Sequence, residues 1–130
     1  MTERRLIANI WRTPTGEILQ SKHRHDLVQD SAGNYIDGGL EIYTRIGGSS
    51  LNGWEDLSVY SDDSHEKKRN AFVWGSYGKS GREPIQWIVL KDIGTEHLWN
   101  ILKTQGNSLP EHIREMFVEE LQYRKEQEND

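Results

Sequence analysis

Hydrophobic and polar positions divide the chain into a first half of short strand-like segments and a second half with helical periodicity. Residues 6–11 (LIANIW) predict a strand that ends at the turn 13–16, and residues 17–21 predict the returning strand of a hairpin. A second Gly-containing turn at 30–34 leads into a short strand at 35–36. The first half is therefore expected to consist of β-hairpins.

The second half begins with a polar segment, residues 62–72, whose acidic start and basic end favour a short helix. Residues 73–77 and 84–90 predict the clearest hairpin of the chain, joined by a Gly-rich turn. Thr95 is a candidate cap for a helix to about Thr104, and a second helix is expected from a capping box at 108–111 to about Tyr123.

These elements predict an α+β fold: β-hairpins, then a long hairpin and two C-terminal helices. Residues 1–60 form the β-hairpin region in this interpretation. Residues 61–124 supply the helix, hairpin and helical pair that pack on it as one compact domain, and residues 125–130 form a frayed tail.

Composition narrows the classes of function. The net charge is −5, and residues 1–50 hold six of the 16 basic and six of the 21 acidic side chains, so the acidic excess lies in the second half. With a pI of about 5.5, general nucleic-acid binding is disfavoured. The absence of cysteine excludes disulfides and thiolate metal sites. No membrane span or signal segment is recognisable, so a cytoplasmic location is expected.

The most unusual segment is residues 21–26 (SKHRHD), in which four consecutive potential cations precede a carboxylate. Lys22, Arg24 and Arg45 are candidates to converge on phosphate oxygens, assisted by backbone N–H groups of a Gly-Gly turn. An aromatic ring such as Trp54 is suited to stack on a base. The candidate ligand-binding residues are Lys22, His23, Arg24, His25, Asp37, Gly38, Gly39, Arg45 and Trp54.

Two other interpretations of the same segment stay open. His23 and His25 alternate along the chain and, in a strand, would share one face, but a stable metal site needs further ligands and no known metal motif is present. The sequence therefore predicts no metal and no cofactor, with a metal-dependent phosphoesterase as an alternative. The simplest interpretation is a solvated strand whose cations pair with Asp26, Asp37 and Glu41.

Three motifs follow one another within residues 10–60: SKHRHD at 21–26, DGG at 37–39 and DLSVY at 56–60, with a Gly turn before each of the first two. In this order and spacing they resemble a family of small uncharacterised bacteriophage and bacterial proteins. Many members of that family carry CxxC and CxC at the two Gly turns, as in a zinc ribbon. Here the turns read Thr13-Pro14-Thr15-Gly16 and Asp30-Ser31-Ala32-Gly33, so the fold is expected to be zinc-ribbon-like without zinc, its turns held by packing.

The resemblance implies a phage origin, with the host cytoplasm as location. Together with the cationic segment, it predicts a non-catalytic protein that binds a small anionic, nucleotide-like molecule, for example to sequester a host immune signalling nucleotide as an anti-defence protein. The alternative is an interaction protein that docks on a host or phage protein through its helical pair. Enzymatic activity is not expected, and a homo-oligomer is compatible with either function.

Overall fold

The computed structural model describes residues 4–22, 26–38, 45–48, 50–78 and 80–128. It has the α+β class expected from the sequence, with antiparallel sheets and three helices, two of them C-terminal. The chain forms two compact units, residues 1–60 (unit 1) and 61–130 (unit 2).

The larger sheet of unit 1 is built around one strand, β1 (Leu6–Arg12). On one side β1 pairs antiparallel with β2 (Ile18–Ser21), and on the other with β6 (Glu55–Asp56) and β7 (Val59–Tyr60). Between β6 and β7 the Ser58 hydroxyl accepts from the Ile10 N–H at 3.1 Å. The DLSVY segment thus interrupts the ladder by two residues and then resumes it.

The second sheet of unit 1 has three short antiparallel strands, β3 (Val28–Gln29), β4 (Tyr35–Asp37) and β5 (Arg45–Gly47), in that spatial order. Residues 39–44, between β4 and β5, lie outside the described part. Among the described residues of unit 1, the buried apolar side chains are Ile7, Ala8, Leu19, Ile36 and Val59.

Unit 2 follows the predicted order of elements: α1 (His65–Ala71), β8 (Val73–Ser76), β9 (Gln86–Val89), a 3-10 turn (Leu90–Asp92), α2 (Thr95–Gln105) and α3 (Glu111–Glu128). Its core centres on Phe117, which makes edge-to-face contacts with Phe72 and Trp74 at centroid distances of 5.7 and 5.6 Å. Buried Leu98 and Ile101 of α2 belong to the same unit. Burial of one face of each helix is what stabilises helices of this length.

Two helix boundaries differ from the expectation. Gly94, not Thr95, is the N-cap of α2, and the Thr95 hydroxyl instead accepts from Arg124 Nη1 at 3.0 Å. Helix α3 continues past Tyr123 to Glu128, so residues 125–128 are helical rather than frayed. The apolar stripe ends near Tyr123, but Arg124 still bonds other parts of unit 2 and extends the ordered helix.

Candidate functional site

Topology brings several of the predicted ligand-binding positions to one end of the three-stranded sheet. Val28 begins β3 and pairs with Ile36, so the segment before β3 lies beside the end of β4. Asp37 ends β4 and pairs with Arg45, the first residue of β5. This end of the sheet, comprising Lys22, Asp26, Asp37, Gly38 and Arg45, is called the loop end below.

Local hydrogen bonds tie the end of β2 to the loop end. The Ser21 hydroxyl donates to the Asp26 carbonyl at 2.9 Å, and the Lys22 N–H donates to Asp26 Oδ2 at 2.9 Å. Ser21 is fully buried. Lys22 and Asp26 lie between the end of β2 and the start of β3 and belong to neither strand.

The loop end has two described cations, Lys22 and Arg45. Lys22 is half-buried and Arg45 is exposed. The described part of the chain gives neither side chain an ion pair, although Asp37 lies opposite Arg45 in the register and on the same face. Gly38 has a φ of 136°, a conformation that favours glycine because it carries no Cβ. Such turns let backbone amides approach an anion closely.

The other predicted ligand residues fall into two groups. His23, Arg24, His25 and Gly39 lie outside the described residues. Trp54 is described, but it lies beside β1 near the opposite end of unit 1, where its ring meets Trp11 edge-to-face at 6.3 Å and its Nε1–H donates to the Ser50 carbonyl at 2.9 Å. Trp54 is therefore a packing residue here, and the loop end does not include it.

The two Gly turns of unit 1, by contrast, form a cluster that the sequence did not predict. They share one backbone pattern: the first residue's N–H donates to the carbonyl four residues on, and its carbonyl accepts from the glycine N–H. Gly16 and Gly33 both have positive φ, 91° and 83°. The turns are joined by the side chains of Thr13, Thr15, Glu17, Asp30, Ser31 and Asn34, which together are called the turn cluster.

The hydrogen bonds of the turn cluster are reciprocal. Glu17 of the first turn accepts from the Ser31 hydroxyl of the second at 2.8 Å. Asp30 of the second turn lies 2.9 Å from the Thr15 hydroxyl of the first, and the same hydroxyl lies 2.7 Å from Glu17. Because Thr15 has a single hydroxyl proton, it serves the two carboxylates alternately. Asn34, fully buried, donates from Nδ2 to Asp30 at 3.0 Å.

These contacts lower the pKa of both carboxyl groups. Hydrogen bonds from Thr15 and Ser31 hold the pKa of Glu17 below its ordinary 4.5. Partial desolvation raises the pKa of Asp30, but hydrogen bonds from Thr13, Asn34 and Thr15 outweigh it and hold that pKa well below 3.8. Both groups are thus ionised acceptors at neutral pH.

The turn cluster corrects one expectation about these turns. The sequence suggested that packing would hold the turns, whereas hydrogen bonds among hydroxyl and carboxylate groups join them. Among the described residues no group of three or more His, Asp or Glu side chains is arranged to hold a metal ion. A sequence signal existed: Thr, Glu, Asp, Ser and Asn are all hydrogen-bonding types, and they gather within or directly beside the two turns.

Unit 2 contains a second ionic cluster, also missed, around Glu120 of α3. The Glu120 side chain is 0% exposed. It accepts from Arg69 Nε at 2.8 Å and from Arg124 Nε at 2.7 Å, and His65 Nε2 lies 2.9 Å away. Burial raises the pKa of Glu120, but the bonds from Arg69, Arg124 and His65 outweigh it and hold that pKa below 4.5. These four residues are called the Glu120 cluster.

The Glu120 cluster joins elements rather than forming an open site. Arg69 and His65 come from α1, and Arg124 also donates to the Leu90 carbonyl at 3.1 Å. The Arg69 guanidinium also lies over the Tyr123 ring, 4.4 Å from the ring centroid, so Arg69 makes a cation–π contact in addition to its ion pair with Glu120. A fully buried carboxylate that is bonded on both oxygens has no position left for a substrate, so the cluster is structural.

Comparison of the chain with protein families, with curated proteins and with solved structures finds no match. Among the described residues, no helix is long and apolar enough to cross a membrane.

Proposed function

We propose that this protein is a non-catalytic binding protein for a small anionic, nucleotide-like ligand, which it takes up at the loop end of unit 1. The observation that carries the proposal is the convergence of Lys22, Gly38 and Arg45 at one end of the three-stranded sheet. Arginine bonds phosphate oxygens in pairs, and a lysine adds a point charge. His23, Arg24 and His25 are part of the proposal through the sequence alone.

The resemblance to small bacteriophage proteins supports a biological role for such binding. A phage protein that captures a host immune signalling nucleotide acts by stoichiometry and needs no catalytic group. This role requires that the ligand be bound tightly and returned intact. It also sets the probe for the test, a cyclic dinucleotide, with inorganic phosphate as the simplest anion.

The test is calorimetric titration with cyclic di-AMP and with phosphate. Arg45→Ala is expected to weaken binding about 10- to 100-fold, because charge-assisted hydrogen bonds contribute about 1.5–3 kcal/mol each. Lys22→Ala should weaken it less. The matched control is Arg12→Ala, since Arg12 pairs with Glu55 at 2.9 Å away from the loop end and should leave affinity unchanged. The bound nucleotide should be recovered intact after denaturation.

A second candidate is supported by a different observation. Trp99 on α2 and Val118 on α3 are 52% and 54% exposed, so both apolar side chains are accessible to a partner. They suit an interaction protein that docks on a host or phage protein. If Val118→Glu abolishes the biological effect while Arg45→Ala leaves it intact, the docking function replaces nucleotide binding. Conversion of the nucleotide to a product would contradict both non-catalytic functions.

A further inference from the structure

A groove in unit 2 lies between the β8–β9 hairpin and α2, and has a volume of about 870 Å³. Ser76 and Gln86 are register partners in the hairpin, and Ile88 follows Gln86 on the same face. From α2 the groove is lined at positions 96, 97, 100, 101, 104 and 105, which repeat every helical turn and form one face. Ligand clefts occupy roughly 300–1,000 Å³, so the groove has the size of a binding site.

The polar side chains of this groove are largely unused by the fold. Within the described part of the chain, the side chains of Gln86, Glu96, His97 and Gln105 make no hydrogen bond. The same holds for the carboxamide of Asn100, because Thr104 bonds the backbone carbonyl of Asn100 and not its side chain. This contrasts with the Glu120 cluster of the same unit, in which every oxygen of the carboxylate is bonded. The groove therefore presents donors and acceptors to whatever enters it.

The chemistry of the lining selects an uncharged ligand. Three carboxamides, Gln86, Asn100 and Gln105, each offer a donor and an acceptor. Apart from His97, the described lining contains no basic side chain, and the negative charge of Glu96 disfavours a strongly anionic ligand. Ile88 and Ile101 supply an apolar floor between the polar groups.

We propose that this groove binds a neutral saccharide. Each sugar hydroxyl both donates and accepts, which matches a carboxamide, and the C–H face of a sugar ring suits an isoleucine floor. A phosphorylated ligand fits this lining poorly, because no described lysine or arginine lines it. The site is distinct from the loop end and does not depend on the function proposed there.

The side-chain NH₂ groups of the three carboxamides report directly on binding in ¹H–¹⁵N NMR spectra. The probes are maltotriose, mannotriose and tri-N-acetylchitotriose, each at about 10 mM, a concentration that detects even millimolar dissociation constants. At least one of these trisaccharides should shift the NH₂ signals of Asn100 and Gln105.

Asn100→Ala should weaken that binding about 2- to 10-fold, the effect of one neutral hydrogen bond. Lys103→Ala, exposed on α2 outside the groove lining, is the control and should change nothing.

Three results would overturn the proposal. The first is that none of the three trisaccharides shifts the carboxamide signals. The second is an equal response to glucose 6-phosphate, which would show that the lining does not select against anions. The third is a stronger response to a short neutral glycine–asparagine peptide, which would make the groove a peptide site.

Discussion

The turn cluster of unit 1 and the Glu120 cluster of unit 2 both use carboxylates to join segments that are distant in the sequence, but they use different partners. Glu17 and Asp30 lie at the surface and are bonded by hydroxyl, amide and backbone N–H groups. Glu120 is fully buried and is bonded by two guanidinium groups and an imidazole. Each carboxylate therefore has partners suited to its exposure to water.

The difference has a physical cause. A surface carboxylate keeps part of its hydration, so neutral donors are enough to order it. A buried carboxylate has lost its water, and only cations with well-placed hydrogen bonds compensate for that loss. The two clusters should accordingly differ in what happens when one member is removed.

The largest effect is expected for Glu120→Ala. The substitution leaves Arg69 and Arg124 without their carboxylate in the interior of unit 2, and breaking a buried ion pair costs about 3–5 kcal/mol. Urea unfolding, followed by NMR signals of unit 2, measures the free energy. Glu115→Ala, an exposed glutamate on the same helix, should change it by less than about 0.5 kcal/mol. Equal effects of the two variants would show that the Glu120 cluster does not stabilise unit 2.

A smaller effect is expected for Thr15→Val, which removes the hydroxyl that lies between Glu17 and Asp30. Loss of this hydrogen bond should destabilise unit 1 by about 1 kcal/mol. Thr15→Ser keeps the hydroxyl and should restore most of the stability, which separates hydrogen bonding from packing. If Thr15→Ser destabilises as much as Thr15→Val, the hydroxyl is not what joins the turns. Signals of unit 1 in the same urea experiment provide the measurement.

The smallest effect is the response of unit 1 to acid. Glu17 and Asp30 have folded-state pKa values below their ordinary 4.5 and 3.8, so their contribution is fully present above about pH 4.5 and is lost as the pH falls toward the folded values. Stability of unit 1 should therefore decline below pH 4.5. In the double variant Glu17→Gln, Asp30→Asn this decline should be shallower, measured as urea midpoints from pH 7 to pH 3. An unchanged slope would mean that other groups cause the loss.

The local elements were predictable because their signals are local. Alternation and Gly turns located β1, β2 and the β8–β9 hairpin, and helical spacing located α2 and the body of α3. The residues at which the helices begin and end were harder to predict. Thr95 is a good cap by residue type, but Arg124, 29 residues further on, bonds its hydroxyl, and Gly94 takes the N-cap position instead.

The candidate site was predictable only in part. Lys22, Asp37, Gly38 and Arg45 were chosen for their residue types, and the pairing of β3, β4 and β5 brings their positions to one end of a sheet. Trp54 was chosen because an aromatic ring suits a base, yet its ring packs against Trp11. A residue type tells what a side chain is able to do, whereas its neighbours decide whether it is free to do it.

The α+β class, the order of the elements and the absence of disulfides and thiolate metal sites follow from the sequence alone, because periodicity, turn residues and composition encode them. The tertiary structure was needed to show that Thr15 and Asp30 meet across two turns and that Glu120 is buried against Arg69. These two contacts join residues 15 and 51 positions apart. Nothing local in the chain encodes them, since they depend on how strands pair and helices pack.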